Sequence, residues 1–253
     1  MAGGSPRTRG AKVPLDREVF VEAALRVASR RHTLSLTYRD LGQELNVDPT
    51  AIYRHFHSKE SLMQELLDRV LRMAHSRMTT SPTAWEACLT ELATATLDTF
   101  LQYPSIAVTA TSLTTSGPGE LESMELMLAC FSEAGLQGRS LAEQYAIFAS
   151  YVLAGAAGLA RDTTDPANNG TYEWFAGPLQ ADPSHHPLAL SSRDDILALE
   201  EREIFFAGIN QIIAAAKEKA QNQGPFSQPN PVAPLEHENT MGFTGRPPGT
   251  LPN

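Results

Sequence analysis

Apolar residues recur at intervals of three and four along most of this chain, which is the spacing that places side chains on one face of an α-helix. A β-strand would instead alternate apolar and polar residues over short runs. The pattern therefore predicts an all-α fold, with helices near residues 16–31, 37–46, 48–56, 58–76, 84–102, 105–113, 121–135, 140–161 and 192–219. The helix at 58–76 links a small N-terminal group of three helices to a larger helical body.

The stretch 37–59 is the most informative, because its polar residues mark where each short helix begins and ends. Thr37 can cap the first helix and Asp40 can complete a capping box. Asn46 then suits the left-handed backbone of a sharp turn. Asp48 can cap a second helix, which starts with a proline at its first position. These signals together predict a helix-turn-helix.

The second helix of this stretch has a buried face and an outward face. Ile52 and Phe56 lie four residues apart, so we expect both to be buried. The outward face carries side chains suited to the floor of a major groove, namely Pro49, Thr50, Tyr53 and Arg54. An alternative is that the three helices only pack together or bind RNA or protein.

The stretch resembles the DNA-binding domain of the TetR family of transcriptional regulators. The resemblance rests on Thr-x-Arg-x-Leu-Gly-x-x-Leu-x-Val from residue 37, Ala-Ile-Tyr-Arg-His-Phe from residue 51 and Ser-Lys-Glu-x-Leu from residue 58. The close match covers residues 16–74, and beyond it only the helical pattern and the length agree. The resemblance implies a sequence-specific DNA-binding regulator, most often a dimeric repressor that a small molecule releases from a palindromic operator.

The resemblance also divides the DNA contacts by role. Residues at the start of the second helix are expected to meet base edges, namely Pro49, Thr50 and Tyr53, with Asp48 and Arg54 as further candidates. Residues around them are expected to contact phosphates and set the register, and these are Thr37, Tyr38, Arg39, His55 and Lys59. The predicted partner is therefore a double-stranded DNA operator.

Charge confines the predicted DNA binding to the N-terminal part, although the whole chain is acidic. The formal net charge of the 253 residues is −9. Residues 1–77 hold 13 Lys and Arg against 9 Asp and Glu, a balance of plus four, whereas the remainder holds 7 against 20, or minus thirteen. A basic part on an acidic body fits a DNA-binding module with a separate sensing domain, because only the module has phosphates to neutralise.

Other classes of function have no recognisable motif in the sequence. It contains no Gly-rich phosphate loop, nucleophile elbow or His-Glu zinc motif, so we expect no enzyme, no cofactor and no metal site. Cys88 and Cys130 lie on the apolar sides of predicted helices and are expected to be ordinary buried thiols. No apolar run is as long as a membrane span and the N-terminus lacks a signal peptide, which predicts a cytoplasmic protein without a membrane partner.

The resemblance places a ligand-binding and dimerisation domain in the helical body. Bulky residues expected to face inward around a small, largely apolar ligand are Trp85, Phe100, Tyr103, Met124, Met127, Phe131, Tyr145 and Phe148. Each of them, taken alone, fits plain core packing better than ligand contact. Threonines on apolar helices also need hydrogen-bond partners, which a ligand or the carbonyls of the preceding turn can provide. These are Thr94, Thr96, Thr99, Thr109 and Thr111.

Features of the last two long helices predict a homodimer. Two glycines lie inside the helix at 140–161, where each costs about 1 kcal/mol relative to alanine, and the close approach of another helix would explain them. By the resemblance, this helix and the last one form a four-helix bundle with a second subunit. The residues assigned to that contact are Gly155, Gly158, Phe205, Ile209 and Ile212. The alternative is a monomer whose two helices pack only against each other.

The predicted domains are a disordered basic arm, a helix-turn-helix domain, a helical body and a disordered Pro- and Gly-rich tail, at 1–15, 16–76, 77–221 and 222–253. A long polar connection at 162–191 carries three aromatic residues, which are expected to cover a pocket mouth or to anchor the loop. They are Tyr172, Trp174 and Phe175. Two other functions stay open, a low-specificity structural DNA-binding protein and a regulator without a small-molecule ligand.

Overall fold

The computed structural model of the chain describes residues 16–30, 35–162, 182 and 184–223. Every regular element in these ranges is helical, which confirms the predicted all-α fold. The predicted basic arm at 1–15, the three aromatic residues of the 162–191 connection and nearly all of the predicted tail lie outside the described residues.

The second helix of the N-terminal part begins and ends at the predicted residues, whereas the first ends three residues before its predicted end at residue 31. α1 spans Arg17–Ala28 and α2 spans Tyr38–Leu45. The Thr37 hydroxyl accepts a hydrogen bond from the Asp40 amide at 3.2 Å, and the Asp40 carboxylate accepts one from the Thr37 amide at 2.9 Å. α2 ends at Asn46, whose φ of 52° is the left-handed conformation that turns the chain sharply.

The recognition helix, Pro49–Arg54, is a six-residue 3-10 helix rather than the α-helix that the sequence predicted. Its hydrogen bonds run between residues three apart, as in the bond from the His55 amide to the Ile52 carbonyl at 2.9 Å. Asp48 caps it by accepting from the Thr50 amide at 2.8 Å. Ile52 and the following Phe56 are both buried, as predicted.

α3, Lys59–His75, joins the helix-turn-helix to the body. Ser58 and Ser61 cap its start through reciprocal hydrogen bonds. Its 17 residues give a length of about 25 Å. The buried side of α3 belongs to one continuous apolar core that includes residues of α1, α2, α4, α6 and α7, so α3 is packed against both parts of the molecule.

The body is built around α4, which packs against α3, α6 and α7, while α10 lies along α7. A short 3-10 turn, Pro82–Ala84, precedes α4. The helices of the body are α4 (Trp85–Gln102), α5 (Pro104–Ala107), α6 (Pro118–Glu133), α7 (Gly138–Asp162), α8 (Pro187–Ser191), α9 (Arg193–Leu197) and α10 (Glu201–Gln223). Among the helices of the described ranges, none has both the length and the hydropathy needed to cross a bilayer.

Three predicted elements differ from the structure. The helix predicted at 105–113 is a single turn, α5, because the Thr109 hydroxyl bonds back to the Ile106 carbonyl at 2.7 Å and the chain continues in turns. The predicted loop up to residue 191 ends in the short helix α8. The single helix predicted at 192–219 is broken into α9 and α10, because the apolar side chains before the break do not pack into the core of the described residues. The apolar spacing of 192–219 predicts that Ile196 and Leu199 are buried. Leu199 is 49% exposed and Ile196 is only partly buried, so that prediction is wrong.

Candidate nucleic-acid interface and adjoining cavity

The outward face of the recognition helix is exposed as the sequence predicted. Asp48, Pro49, Thr50 and Arg54 are all exposed, and Tyr53 is 56% exposed. The Tyr53 and Tyr38 rings pack at a right angle, with 5.2 Å between the ring centroids. An aromatic side chain that is supported in this way and surrounded by short polar groups fits a face that enters the major groove.

The basic residues near this face fall into two groups. Those of the first group pair with acidic residues and tie α1 to α2 and α3, as Arg17 does with Glu65, Arg69 with Glu18, and Arg26 and Arg30 with Glu44. Those of the second group are exposed and have no acidic partner in the described part of the chain. They are Arg39, Arg54 and Lys59. The unpaired cations are thus three of the residues assigned to DNA, and they are available to phosphates.

Three other predicted DNA residues already make contacts within the chain. The Thr37 and Thr50 hydroxyls donate to the Asp40 and Asp48 carboxylates at 2.5 and 2.6 Å, so both contribute to helix caps. The ring of His55 is half-buried and lies 5.2 Å from the Phe20 ring. DNA contact by these residues stays a prediction, and it requires them to act from the positions that the caps and the core define.

The Tyr38 hydroxyl is buried and has no hydrogen-bond partner within the described ranges. Burial, and secondarily the neighbouring Tyr53, raise the pKa of Tyr38 above its ordinary value. The phenol therefore remains protonated at neutral pH and can donate a hydrogen bond. Its assignment as a phosphate contact stays a prediction.

A cavity of about 70 Å³ lies between α3, α4, α6 and α7. Most of its lining is apolar and comes from Leu71, Leu92, Met127, Ala149, Val152 and Leu153. Its polar lining residues are Thr96, Glu120, Ser123 and Tyr145. Sites for drug-sized ligands measure about 300–1,000 Å³, so these helices must separate before such a ligand can enter.

The structure places two of the eight predicted ligand residues, Met127 and Tyr145, at the cavity. Three of the others are fully buried core residues, and these are Phe100, Phe131 and Phe148. Tyr103 is buried as well, while Trp85 and Met124 are half-buried. None of these six lines the cavity.

The threonines on α4 and α5 divide between the two kinds of partner that the sequence left open. The hydroxyls of Thr94, Thr99 and Thr109 donate to carbonyls of the preceding turn at 2.7–2.8 Å. Thr96 is only 4% exposed, lines the cavity and makes no such bond within the described ranges. It is therefore the threonine whose hydroxyl remains for a ligand, whereas Thr111 is exposed.

Sequence reasoning missed Glu120, which is the charged residue of the cavity lining. Its Oε2 accepts hydrogen bonds from the Thr115 amide at 2.6 Å, the Thr115 hydroxyl at 2.8 Å and the Ser116 amide at 2.7 Å. Its Oε1 accepts none from the described part of the chain. Glu120, Ser123 and Met127 are spaced by three and four and therefore share one face of α6. Polar residues on the same face as the apolar Met127 were the signal in the sequence that could have indicated Glu120.

The two cysteines are buried free thiols, as the sequence predicted. The Cys88 thiol donates to the Thr80 carbonyl at 3.3 Å. Burial raises the pKa of both Cys88 and Cys130, so both are protonated and poor nucleophiles. Within the described ranges, no three His, Cys, Asp or Glu side chains are grouped as metal ligands would be.

α7 and α10 pack closely within one chain. A Cβ added at Gly155 would lie 2.7 Å from the Phe205 ring, whereas one added at Gly158 would meet no atom of the described residues within 4 Å. Phe205 and Ile209 are 3% and 0% exposed, so they support this helix pair from inside, while Ile212 is half-buried. The outer side of the pair shows Ile147, which is 48% exposed, and several small side chains. Dimerisation through that side stays a prediction.

The exposed outward face of Pro49–Arg54, with Arg39 and Lys59 beside it, is called the reading face below. A helix-turn-helix with such a face, joined to a helical body with a cavity, is typical of DNA-binding transcriptional regulators. Residues 20–66 match the family described as bacterial regulatory proteins of the tetR family, and residues 78–219 match the tetracyclin repressor-like C-terminal domain. The second match alone covers more than half of the chain. The chain therefore belongs to the TetR family of transcriptional regulators.

Relatives of known identity agree with this assignment. The HTH-type transcriptional repressor DrrR1 of Streptomyces coeruleorubidus is 28% identical over 153 residues, which are 60% of this chain and 57% of that relative. The aligned part thus spans little more than half of the relative's length.

Solved structures share the fold along most of the chain. Apo ActR from Streptomyces coelicolor is 21% identical with a TM-score of 0.69, and the match covers 84% of this chain and 99% of that one. ActR in complex with actinorhodin is 23% identical with a TM-score of 0.68, and the match covers 82% of this chain and 99% of that one. At these identities the likeness establishes the fold.

Proposed function

We propose that this regulator is a homodimeric repressor that binds a palindromic operator and leaves it when a small molecule enters the body. The observation that carries the proposal is the reading face, where Tyr53 projects and Arg39, Arg54 and Lys59 have no acidic partner in the described ranges. The basic residues behind that face are paired with carboxylates. Charges without partners are the ones that can neutralise phosphates.

The DNA contacts divide by position. Pro49, Thr50 and Tyr53 are assigned to base edges in the major groove, with Asp48 and Arg54 at the margins. Arg39 and Lys59 are assigned to phosphates, and Lys59 is the first residue of α3, where open backbone N–H groups also favour an anion. The phosphate contacts set the register and the base contacts set the sequence preference.

The second copy is assigned to the outer side of α7 and α10. Small side chains there, such as Ala154, Ala207 and Ala214, are exposed in the single chain and allow close approach of another pair of helices. Because two copies related by a two-fold axis present two recognition helices, the operator should be a palindrome. Its half-sites should be separated by about one turn of DNA or a multiple of it.

The ligand is assigned to the cavity between α3, α4, α6 and α7. A related fold, ActR, has been solved in complex with actinorhodin, which supports ligand binding by a body of this kind. A ligand larger than about 70 Å³ must push these helices apart, and α3 is the helix that continues into the reading face. Release from DNA follows if the two recognition helices no longer fit the half-site spacing.

We assign DNA binding to the domain at residues 16–76. The binding of the ligand and of the second copy is assigned to the domain at residues 77–221. This role consists of binding equilibria and has no catalytic step. A chromosomal operator places the protein in the cytoplasm.

The test is a selection of bound fragments from the source genome, followed by footprinting. A repressor of this kind should recover a small set of fragments that share one palindrome next to a promoter. Uniform recovery without a shared palindrome would instead establish a low-specificity structural DNA-binding protein. A thermal-shift screen of small hydrophobic molecules, with operator release as the second readout, separates a ligand-released repressor from one that has no ligand.

A further inference from the structure

One side chain of the linking helix caps the first turn of α6. Asp68 of α3 is 9% exposed, and its Oδ1 accepts hydrogen bonds from the amides of Gly119 at 2.9 Å and Glu120 at 3.1 Å. Gly117 and Gly119 lie so close that a Cβ at either would collide with Asp68. The start of α6 is therefore packed closely against α3, so neither helix can move there without displacing the other.

The turn before α6 is held from two sides by two carboxylates. The Thr115 hydroxyl lies 3.0 Å from Asp68 Oδ1 on α3 and 2.8 Å from Glu120 Oε2 on α6. A hydroxyl has one proton to donate and a carboxylate can only accept. Thr115 can therefore donate to only one of the two carboxylates at a time. The two possible arrangements are a hydrogen bond to Asp68 and a hydrogen bond to Glu120.

The same α3 face has a second bond to this turn. The Gln64 side-chain amide donates to the Thr114 carbonyl at 3.0 Å. Next to these contacts, α3 is tied to α1 by the ion pairs Arg17–Glu65 and Arg69–Glu18. A shift of the turn would therefore also move α3, which is bonded to α1 of the helix-turn-helix domain.

Glu120 also lines the cavity, and its Oε1 accepts no hydrogen bond from the described part of the chain. Three hydroxyls share the lining, those of Thr96, Ser123 and Tyr145, and the Ser123 hydroxyl already donates to the Gly119 carbonyl at 2.8 Å. Burial, and secondarily the charge of Glu120, raise the pKa of Tyr145, which keeps its phenol protonated. The rest of the lining is apolar, so the polar part of a ligand would meet the Glu120 carboxylate and these hydroxyls.

We propose that Glu120 recognises a hydrogen-bond donor, a hydroxyl or a protonated amine, on an otherwise apolar ligand, and that the shared Thr115 hydroxyl passes this contact to Asp68. This inference rests on the proposed function and names the ligand chemistry and the relay. A ligand donor at Glu120 draws the carboxylate towards the cavity and weakens its bonds to Thr115 and Ser116. The Thr115 hydroxyl then donates its hydrogen bond to Asp68 instead, and the packing of α6 against α3 changes.

The ligand chemistry is tested with two matched molecules, 2-naphthol, which has a donor, and 2-methoxynaphthalene, which has none. The readout is release of fluorescent operator, measured by anisotropy with the operator recovered from the fragment selection. 2-Naphthol should release wild-type protein at a concentration at least tenfold below that of 2-methoxynaphthalene. Glu120→Gln should reduce this preference to less than about twofold, and Glu122→Gln, an exposed neighbour on α6, should keep it.

Equal potency of the two molecules on wild-type protein would overturn the recognition of a donor. So would a tenfold preference that survives Glu120→Gln, or a complete lack of release by 2-naphthol up to its solubility limit. Each variant is compared with its own operator affinity in the absence of naphthalenes, so that a change in DNA binding is not counted as a change in ligand preference.

The relay is tested with Thr115→Val, which removes the hydroxyl and keeps the shape, and with Thr115→Ser, which keeps the hydroxyl. Binding of 2-naphthol is measured by calorimetry and release by anisotropy. Thr115→Val should raise the concentration for half-release at least tenfold while the binding constant changes less than threefold. Thr115→Ser should release like wild-type protein. Release of Thr115→Val at the wild-type concentration would overturn the relay.

If Thr115→Val does not fold, Asp68→Asn supplies the second variant, because it keeps one acceptor oxygen for the α6 amides and removes the charge. It should show the same separation of binding from release. Failure of this inference is distinct from failure of the proposed function. A wild-type protein that finds no palindromic operator refutes the repressor itself, whereas a repressor that responds equally to both naphthalenes refutes only Glu120 and its relay.

Discussion

Tyr53 projects from the recognition helix and packs at a right angle to the Tyr38 ring, with 5.2 Å between the ring centroids. We expect Tyr53→Ala to lose about 1–3 kcal/mol of discrimination between operator and random duplex, since a base-edge contact would be removed. Tyr53→Phe should keep most of it, because the ring remains. The measurement is the ratio of the two dissociation constants at one salt concentration, and an unchanged ratio in Tyr53→Ala would rule out base contact by this residue.

Lys59 is also a single-residue case, but it should affect the overall affinity for DNA and its salt dependence rather than the discrimination between sequences. Lys59→Ala should weaken binding to every duplex by a similar factor and lower the slope of log affinity against log salt by about one, because one phosphate contact is lost. Lys217→Ala is the matched control, since Lys217 pairs with Glu86 at 2.7 Å in the body. Identical slopes for wild type and Lys59→Ala between low and moderate salt would remove Lys59 from the interface.

Glu91 gives a prediction about pH. Hydrogen bonds from Thr80 and Thr79 lower the pKa of Glu91 from 4.5 to about 2, because they favour the charged carboxylate. The folded state binds this proton less readily than the unfolded state, so the stabilisation is present above about pH 4.5 and disappears as the pH falls towards 2.

Glu91→Gln should therefore lower the melting temperature at pH 7, and the difference from wild type should shrink steadily below about pH 4.5. Glu125→Gln, an exposed residue of α6, serves as the control and should show no such trend. A difference between wild type and Glu91→Gln that stays constant from pH 7 to pH 3 would contradict the role of the Glu91 carboxylate in holding the 79–80 linker.

At the scale of helices, the glycines of α7 differ in what they face. Gly155→Ala should destabilise the fold by about 1–3 kcal/mol, because the added carbon would lie 2.7 Å from the buried Phe205 ring. Gly158→Ala should instead stabilise it by up to about 1 kcal/mol, because the position is open and alanine favours helix. Urea unfolding of both variants is the measurement, and a Gly155→Ala variant as stable as wild type would show that this glycine is not needed for the approach of α10.

Helix ends marked by capping chemistry were predictable from sequence. Thr37, Asp40, Asn46 and Asp48 form the caps and the turn that their residue types indicated, because these interactions are local. The break between α9 and α10 was not predictable, since no glycine or proline marks it. It depends on whether a core exists for side chains such as Leu199, which is a matter of tertiary packing.

The cavity was predicted in its general place but mostly not in its residues. Large aromatic side chains were expected to line it, yet Phe131 and Phe148 pack against each other with 5.8 Å between centroids and fill space. An opening remains where the side chains are smaller or polar, as at Thr96 and Ser123. Hydrophobicity along a helix indicates burial, but it does not indicate which buried face is left incompletely filled.

At the scale of the whole molecule, the predicted dimer rests on an exposed face. Ile147→Glu should raise the dimer dissociation constant at least tenfold, because a charge would be buried between two copies. Leu121→Glu is the control, since Leu121 is 56% exposed on α6 and lies outside the assigned face. Sedimentation velocity across a dilution series measures the effect. Equal behaviour of the two variants would move the dimer contact elsewhere or refute it.

The contact of Asp68 with the start of α6 also sets rules for building hybrid regulators. Because Gln64 and Asp68 lie within α3, a foreign DNA-binding domain joined before Gln64 brings no change to the contacts with the 114–120 turn. A junction placed after Arg72 replaces these residues by whatever the donor carries. Such a hybrid should still bind its operator and still bind a ligand, but the two events should be independent unless the donor also has a carboxylate at position 68 to meet Gly117 and Gly119.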